Sequence, residues 1–284
     1  MPKLKNAIFT ACDAKYGDFL VKHWLKSLKD NVDLNNIEII VLDYGLNETQ
    51  NLTLKKEKVT VLKCIKDGHV TSLRFRDMAK FLKNHIYNQI LTIDGGDIIF
   101  QTDIKSAFKT DNTCLRAVVE DVNFPFEGFY TKKFFAKEDG ENIRLFLKDK
   151  RLVNAGVLIG PHKEFKQLCE ECNSLIKDKS EYGPDQVAVN YLLYKYNFKK
   201  LDNKYNFVIT TAKRKFYING GIFYFREGEK IPIIHNANNF SYLRPVKNFG
   251  YGPNCNQLKI TTYILVRMMF SLLGFFKTLL NRVF

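Results

Sequence analysis

The stretch Ile90–Ile104, ILTIDGGDIIFQTDI, decides how the chain reads. It starts as an apolar run of the kind that forms a buried strand, breaks at Asp94-Gly95-Gly96-Asp97, and resumes as a second apolar run. Two carboxylates flanked by apolar chain are costly to bury unless something pairs with them. Three uses are open: a Gly-rich turn with solvated carboxylates, a divalent-metal site, or an acid and base. Carboxylates at a strand end can grip a hard cation such as Mn2+ or Mg2+, and such a cation keeps positions open for phosphate oxygens. The two glycines let the backbone approach a ligand and accept positive φ.

Outward from this point, apolar runs alternate with helical patterns. KNAIFTACD (5–13), IEIIVLDYG (37–45), KVTVLKC (58–64) and QILTID (89–94) read as strands. YGDFLVKHWLKSLKD (16–30) and TSLRFRDMAKFLKNH (71–85) carry helical spacing. Trp24 falls on the apolar face with Leu20 and Leu28 and reads as core. The alternation predicts an α/β fold with a mostly parallel sheet, in which ligands sit beyond the carboxyl ends of the strands. Three of the strands end at a carboxylate: Asp13, Asp43 and Asp94. Neither G-x-G-x-x-G nor a P-loop pattern is present, so any nucleotide is held by other means. Further on, RLVNAGVLIG (151–160) reads as a strand, HKEFKQLCEECNSLIKD (162–178) and YGPDQVAVNYLLYKY (182–196) as helices, and GGIFYFREGEKIPIIHNANN (220–239) as strand-rich.

The chain has 284 residues, 45% of them apolar, enough for one large domain or a domain with an appendage. Its net charge of +14, from 44 basic and 30 acidic residues, favours an anionic partner: nucleic acid, an anionic lipid surface or a phosphorylated substrate. Nucleic acid is disfavoured, because no recognised module or interleaved basic and aromatic motif appears. The lysine runs LKKEKV and TAKRK read as solvated faces. MPKLKNAIFTACD lacks the apolar segment of a secretory signal, and the six scattered cysteines read as reduced thiols, so a cytoplasmic setting is expected. Cys169 and Cys172 form a C-x-x-C in mid-helix with no second pair to complete a zinc site. The sequons at Asn47, Asn51 and Asn239 carry little meaning in that setting.

The segment 258–284 differs from the rest. Arg267, Ser271, Gly274, Lys277, Thr278, Asn281 and Arg282 recur every three or four residues and form a narrow polar stripe on an otherwise apolar helix. A spanning helix wants about 20 consecutive apolar residues. Arg267 and Lys277 leave only nine uncharged residues between them. An in-plane helix on an anionic membrane surface, its basic residues near the head groups, fits better than a span. A core helix or a helix docked on a partner is the alternative.

The ordered set TIDGGDIIFQTDI, VNAGVLIGP, GPDQVAVNYLL, LDNKYNF and IIHNANN resembles the glycosyltransferases of the GT-A fold. It is most similar to the family 8 type, which includes bacterial lipooligosaccharide galactosyltransferases and glycogenin. The likeness covers about residues 5–240. It implies a GT-A fold, a mixed and mostly parallel sheet flanked by helices, over residues 1–257. A donor half spans about 1–105 and an acceptor half about 106–257, with the amphipathic helix of 258–284 appended. It implies a metal-dependent transfer of a sugar from a nucleotide-diphosphate-sugar, UDP-sugar foremost, to a lipid-linked or surface glycan such as lipopolysaccharide or capsule. Retention of the anomeric configuration follows if the family's chemistry holds.

The residues carry over one by one. Asp97 matches the second aspartate of the family's D-x-D, Asp94 supplies the first across one extra glycine, and His235 matches a late histidine, so the three would bind Mn2+ or Mg2+. Asn154 and Ala155 match the donor-sugar contact, and Asp185 and Gln186 the segment beside the reacting sugar. Ala11, Asp13 and Tyr16 match the loop that holds the nucleobase and ribose. Arg76 matches the basic donor contact, with Arg74 and Lys80 in competition. The family's usual lysine after the late histidine is absent, and Arg244, Lys213 or Arg214 would replace it on the diphosphate. His23, His69, His85 and His162 read as surface or packing residues, as do Tyr205, Asn206 and Phe207. The departures from the motifs leave a second possibility, a catalytically degenerate domain that only binds a nucleotide-sugar or glycan at the membrane.

Overall fold

The computed structural model describes residues 4–127, 133–237 and 240–283. Asn239 lies outside the described residues, as do the side chains of Asn281 and Arg282. The chain opens with β1 (Asn6–Cys12), then α1 (Ala14–Phe19), which runs through a π turn at Leu20–Trp24 into α2 (Leu25–Asn31). β2 (Ile37–Asp43), α3 (Glu48–Lys56), β3 (Thr60–Lys63), α4 (Val70–Leu82) and β4 (Gln89–Ile93) follow. These four strands pair in parallel in the spatial order β3-β2-β1-β4. β1, β2 and β4 are mostly apolar on both faces because helices cover both, whereas the edge strand β3 is only half-buried. Leu20, Trp24 and Leu28 are fully buried beneath one face. Truncating a buried tryptophan such as Trp24 costs about 3–5 kcal/mol.

The pattern then changes. β5 (Ile98–Phe100) leaves the large sheet, α5 (Lys105–Lys109) follows, and β6 (Arg116–Val119) returns to it. After α6 (Lys137–Leu147), β7 (Val153–Pro161) inserts between β4 and β6, antiparallel to both. With α7 (His162–Leu175), α8 (Pro184–Lys195) and β8 (Lys199–Lys200), a mixed seven-stranded sheet of order β3-β2-β1-β4-β7-β6-β8 is complete. The antiparallel insertion positions the site. Ile93 pairs with Val157, so the first residues of β7 lie beside the carboxyl end of β4. Helices α4, α7 and α8 pack on one face, where Cys169 and Cys172 are fully buried free thiols among Phe75, Phe165 and Leu168.

A second, three-stranded sheet joins distant parts of the chain. β9 (Phe207–Val208) precedes the hairpin β10 (Phe216–Asn219) and β11 (Ile222–Phe225), and β12 (Ile233–His235) then lies between β5 and β9. The two-residue strands β13 (Val246–Lys247) and β14 (Gln257–Leu258) lead to α9 (Ile260–Val283). Two of the sequons are structural. Asn47 caps α3 in a capping box with Gln50, and the Asn51 amide donates to the Asp43 carboxylate at 3.0 Å.

Helix α9 docks on the body by its polar side. The Arg267 guanidinium donates to the Ala212 carbonyl at 2.6 Å, and Gly274 lies so close to the Asn123 carbonyl that a Cβ would meet it at 3.2 Å. Lys277 is 3% exposed and pairs with Glu127 at 3.1 Å. Arg267 and Lys277 are therefore turned into the protein and not toward head groups, which corrects the orientation expected for these two. The face left open carries Ile264, Leu265, Met268, Leu272, Phe275 and Phe276, each at least half exposed. Ile260–Thr278 is long and apolar enough, by length and composition, to cross a membrane.

Removing one partner of a buried ion pair strands the other charge, a loss of about 3–5 kcal/mol. Lys277→Ala should therefore loosen α9 more than the sheet. Hydrogen exchange should rise across 260–278 with β1–β4 unchanged; full protection of the helix in the variant would contradict this anchoring.

Candidate active site and metal centre

The carboxyl ends of β1 and β4, the start of β7 and the end of β12 open onto one cleft of about 430 Å³. That is the size range of a small-molecule site. Ala11, Asp13, Tyr16, Asp94, Asp97, Asn154, Ala155, Asp185, Gln186, His235 and Arg244 all line it, so eleven of the twelve candidate residues converge. Arg76 is the exception. Its guanidinium is held by Asp67, Asp77 and the Ile65 carbonyl, outside the cleft lining. Arg74 takes the position in the cleft instead. It is 4% exposed, donates to Asp94 Oδ1 at 2.5 Å and to the Ala155 carbonyl at 3.1 Å, and pairs with Asp185 at 3.3 Å.

Asp94, Asp97 and His235 meet because β12 pairs antiparallel with β5 and sets His235 opposite Ile98. One ligand atom from each lies within 4.8 Å of the others. His235 Nε2 is 3.3 Å from Asp97 Oδ1 and 3.8 Å from Asp94 Oδ2. Two carboxylate oxygens and one imidazole nitrogen form a donor set suited to Mn2+, and less so to Mg2+, which prefers oxygen alone. The floor of this group is bare backbone. A Cβ on Gly156 would lie 2.5 Å from the His235 ring, 2.8 Å from Asn154 Oδ1 and 2.9 Å from Asp94 Oδ2. The residues fit a divalent cation.

The extra glycine of D-G-G-D has a steric use. Neither Gly95 nor Gly96 adopts positive φ, contrary to the sequence expectation. A Cβ on Gly95 would strike Thr10 Oγ1 at 2.6 Å, and one on Gly96 the Tyr16 ring at 2.8 Å. The turn is glycine because it passes between β1 and the Tyr16 ring. Asp94 is fixed from behind, its N–H donating to the Gly156 carbonyl at 2.9 Å.

Charge is distributed unevenly. Burial works against the Asp97 anion, but His235 and the Arg244 guanidinium at 2.9 Å outweigh it and hold the carboxyl below its usual range. Burial equally disfavours a charged His235, yet Asp97 and Asp94 prevail and raise its pKa above the ordinary value. Burial raises the Glu120 carboxyl, which accepts from Asn154 Nδ2 at 2.7 Å.

The remaining candidates have these partners. Asp13 caps α1 and pairs with Lys66 at 2.7 Å on the rim. Asp185 accepts from Thr71 Oγ1 at 3.1 Å as well as from Arg74. The Gln186 amide bridges the start of β7, accepting from Ala155 N–H at 3.1 Å and donating to the Val153 carbonyl. Asp43 stays out of the cleft lining and holds the next turn, accepting from the N–H groups of Gly45 and Leu46. His69, expected to be a packing or surface residue, caps α4 and lines the cleft. Arg74 could have been found by phase. It shares the buried stripe of α4 with Met78 and Leu82, where a charged residue needs a reason, whereas Arg76 does not.

A family model described as glycosyl transferase family 8 matches residues 8–238. None of the curated proteins matches the chain. Among solved structures, the apo form of the bifunctional glycosyltransferase WbbM is similar with a TM-score of 0.53 and 15% identity, over 96% of this chain and 52% of that one. The apo glycosyltransferase GlyE of Streptococcus pneumoniae TIGR4 is similar with a TM-score of 0.53 and 17% identity, over 95% of this chain and 62% of that one. The chain thus spans about half to three-fifths of the length of these two proteins, and the likeness is one of fold.

Gly156→Ala should lower Mn2+ affinity by about tenfold or more while the chain stays folded, read by titration calorimetry beside a thermal melt. Unchanged affinity would mean that the crowded floor is not part of the metal centre. Metal binding needs a neutral imidazole. With the His235 pKa raised, Mn2+ affinity should fall at a higher pH as acid is added than an unperturbed histidine near 6.5 would allow. Affinity constant down to pH 5.5 would contradict this; the acidic limit lies about one unit below the ordinary histidine range.

Proposed function

The chain belongs to glycosyl transferase family 8, and on that premise we propose that it transfers a sugar from a UDP-sugar to a lipid-linked or cell-surface glycan in a Mn2+-dependent reaction. The observation that carries this reading is the convergence of Asp94, Asp97 and His235 in a cleft that also takes in the end of β1.

Each wall has a task in this reading. Ala11, Asp13 and Tyr16 receive the nucleobase and ribose. Asp94, Asp97 and His235 hold the cation beside the diphosphate. Bound there, Mn2+ supplies a Lewis acid for the charge that develops on the departing UDP. Arg244, which pairs with Asp97 across 2.9 Å, adds a guanidinium on the same side and takes the place of the lysine the family usually has. Arg74 and Asn154 reach the donor sugar, with the Ala155 backbone beside them, and Asp185 keeps Arg74 in place. The sugar becomes oxocarbenium-like as its bond to phosphate breaks. The Gln186 amide lies on the wall of the cleft beside it. No side chain of the chain is assigned as a nucleophile. Retention then follows from front-face attack by the acceptor hydroxyl, its proton passing to the leaving phosphate.

The tail supports a peripheral position on the inner face of a membrane, where lipopolysaccharide or capsule intermediates are assembled. Its polar side meets Ala212 through Arg267 and Glu127 through Lys277, which supports a helix that lies along the body over one that spans. The open side would enter the lipid boundary as an in-plane helix.

Asp97→Asn should lower transfer by about 100-fold or more with the melting temperature preserved. Wild-type activity of this variant in excess EDTA would overturn the metal role. UDP with Mn2+ should raise the melting temperature, since a ligand at about 100 times its Kd adds about 2.7 kcal/mol. Stabilisation by a UDP-sugar with neither transfer nor donor hydrolysis would favour the degenerate binding module. Changing Leu265, Met268 and Leu272 together to Glu should abolish flotation with anionic liposomes; equal flotation of variant and wild type would remove the membrane role.

A further inference from the structure

Behind His235 runs a chain of two amide side chains, Asn154 and Asn206, and the second of them has no task in the proposed reaction. Asn154 Oδ1 accepts from the backbone N–H of Gly156 at 2.9 Å. A backbone N–H can only donate, so this contact fixes which end of the Asn154 amide is oxygen. Its Nδ2 then donates to the Glu120 carboxylate at 2.7 Å. The same Asn154 oxygen lies 3.0 Å from Asn206 Nδ2, which must be the donor there. Asn206 is thereby oriented as well, and its Oδ1 faces His235 Nδ1 at 2.9 Å. An amide oxygen has no proton to give, so Nδ1 must carry one.

We infer that Asn206 is a positioning residue that keeps the His235 proton on Nδ1 and leaves the Nε2 lone pair directed at Asp94 and Asp97. Its value to the protein rests on the metal reading of those three side chains, because Nε2 can bind a cation only as a lone pair. A histidine side chain in water favours the opposite tautomer, with the proton on Nε2. The fold sets this preference aside. Asn206 and His235 are 1% and 2% exposed, so no water competes for Nδ1. The pairing of His235 with Val208 across the parallel strands β12 and β9 brings Asn206 alongside the ring. A metal-ligating histidine is commonly fixed through its second nitrogen by a carboxylate, a backbone carbonyl or water. Here a side-chain amide has that position, and its direction traces back to one backbone N–H on β7.

Long-range 1H–15N NMR of the metal-free full chain, taken at alkaline pH, reads the tautomer directly, with His235 identified by the signal missing from His235→Gln. Mn2+ affinity is measured separately by electron paramagnetic resonance of the free ion. The wild type should show a proton on Nδ1. Asn206→Leu should move a large share of it to Nε2 and weaken Mn2+ binding by about 10–100-fold. Asn206→Asp keeps an acceptor for Nδ1 while replacing the donor to Asn154 with a charged oxygen, so it should retain the wild-type tautomer and bind Mn2+ far better than the leucine variant. A wild-type proton on Nε2 would overturn the role. So would a leucine variant that melts lower yet keeps both the tautomer and the affinity, because Asn206 would then be packing alone. An aspartate variant whose tautomer shifts as the leucine variant's does would also overturn it. A wild type that shows the Nδ1 proton but binds no Mn2+ would instead sink the metal reading and leave the tautomer assignment standing.

Discussion

The antiparallel pairing of β12 with β5 is the contact on which the site depends. Three residue pairs, Ile233 with Phe100, Ile234 with Ile99 and His235 with Ile98, join segments more than 130 positions apart in the chain. A one-residue slip in that ladder would turn the His235 side chain to the other face of the strand and away from Asp97. The register is protected by burial. Ile98, Phe100 and Ile233 fill one apolar cluster while Ile99 and Ile234 fill another, so a slip would exchange both sets at once.

Packing alone would not hold the acidic end of β4. Two unit charges about 4 Å apart at an effective dielectric constant near 20 interact by about 4 kcal/mol. Asp94, Asp97 and Asp185 each meet a guanidinium: Arg74 serves Asp94 and Asp185, and Arg244 serves Asp97. Both arginines come from segments that arrive independently, one on a buried helix face and one on the chain that follows β12. The arrangement holds carboxylates ready for a cation without requiring that cation to complete the fold.

Much of this could be read in the sequence. The alternation of apolar runs and helical patterns locates the parallel half of the sheet, and ligand contacts at strand ends follow from that topology. Asp94, Asp97 and His235 were accessible only through the ordered motifs, since nothing local to IIHNANN points back to DGGD. What stayed hidden needed three dimensions. The choice between Arg74 and Arg76 is the exception, since helical phase already puts Arg74 on the buried stripe of α4 and Arg76 off it. Asn206 looks like packing because its partner, Asn154, is on another sheet. Gly95 and Gly96 answer to neighbours that the sequence places eighty residues away, Thr10 and Tyr16, and not to their own dihedral angles. The polar stripe of α9 was visible, but periodicity cannot say whether a stripe faces solvent or protein.

The docked tail has a consequence for the molecule in plain aqueous solution. Arg267 and Lys277 are spent inside the protein, and the open row offers water mainly hydrocarbon and aromatic rings. Hydrophobic patches of that kind seek cover. Without a lipid phase the nearest cover is the same row on another copy. Association of that kind would grow with protein concentration and dissolve in mild detergent, so the number of chains in a particle would report on the solvent more than on the architecture.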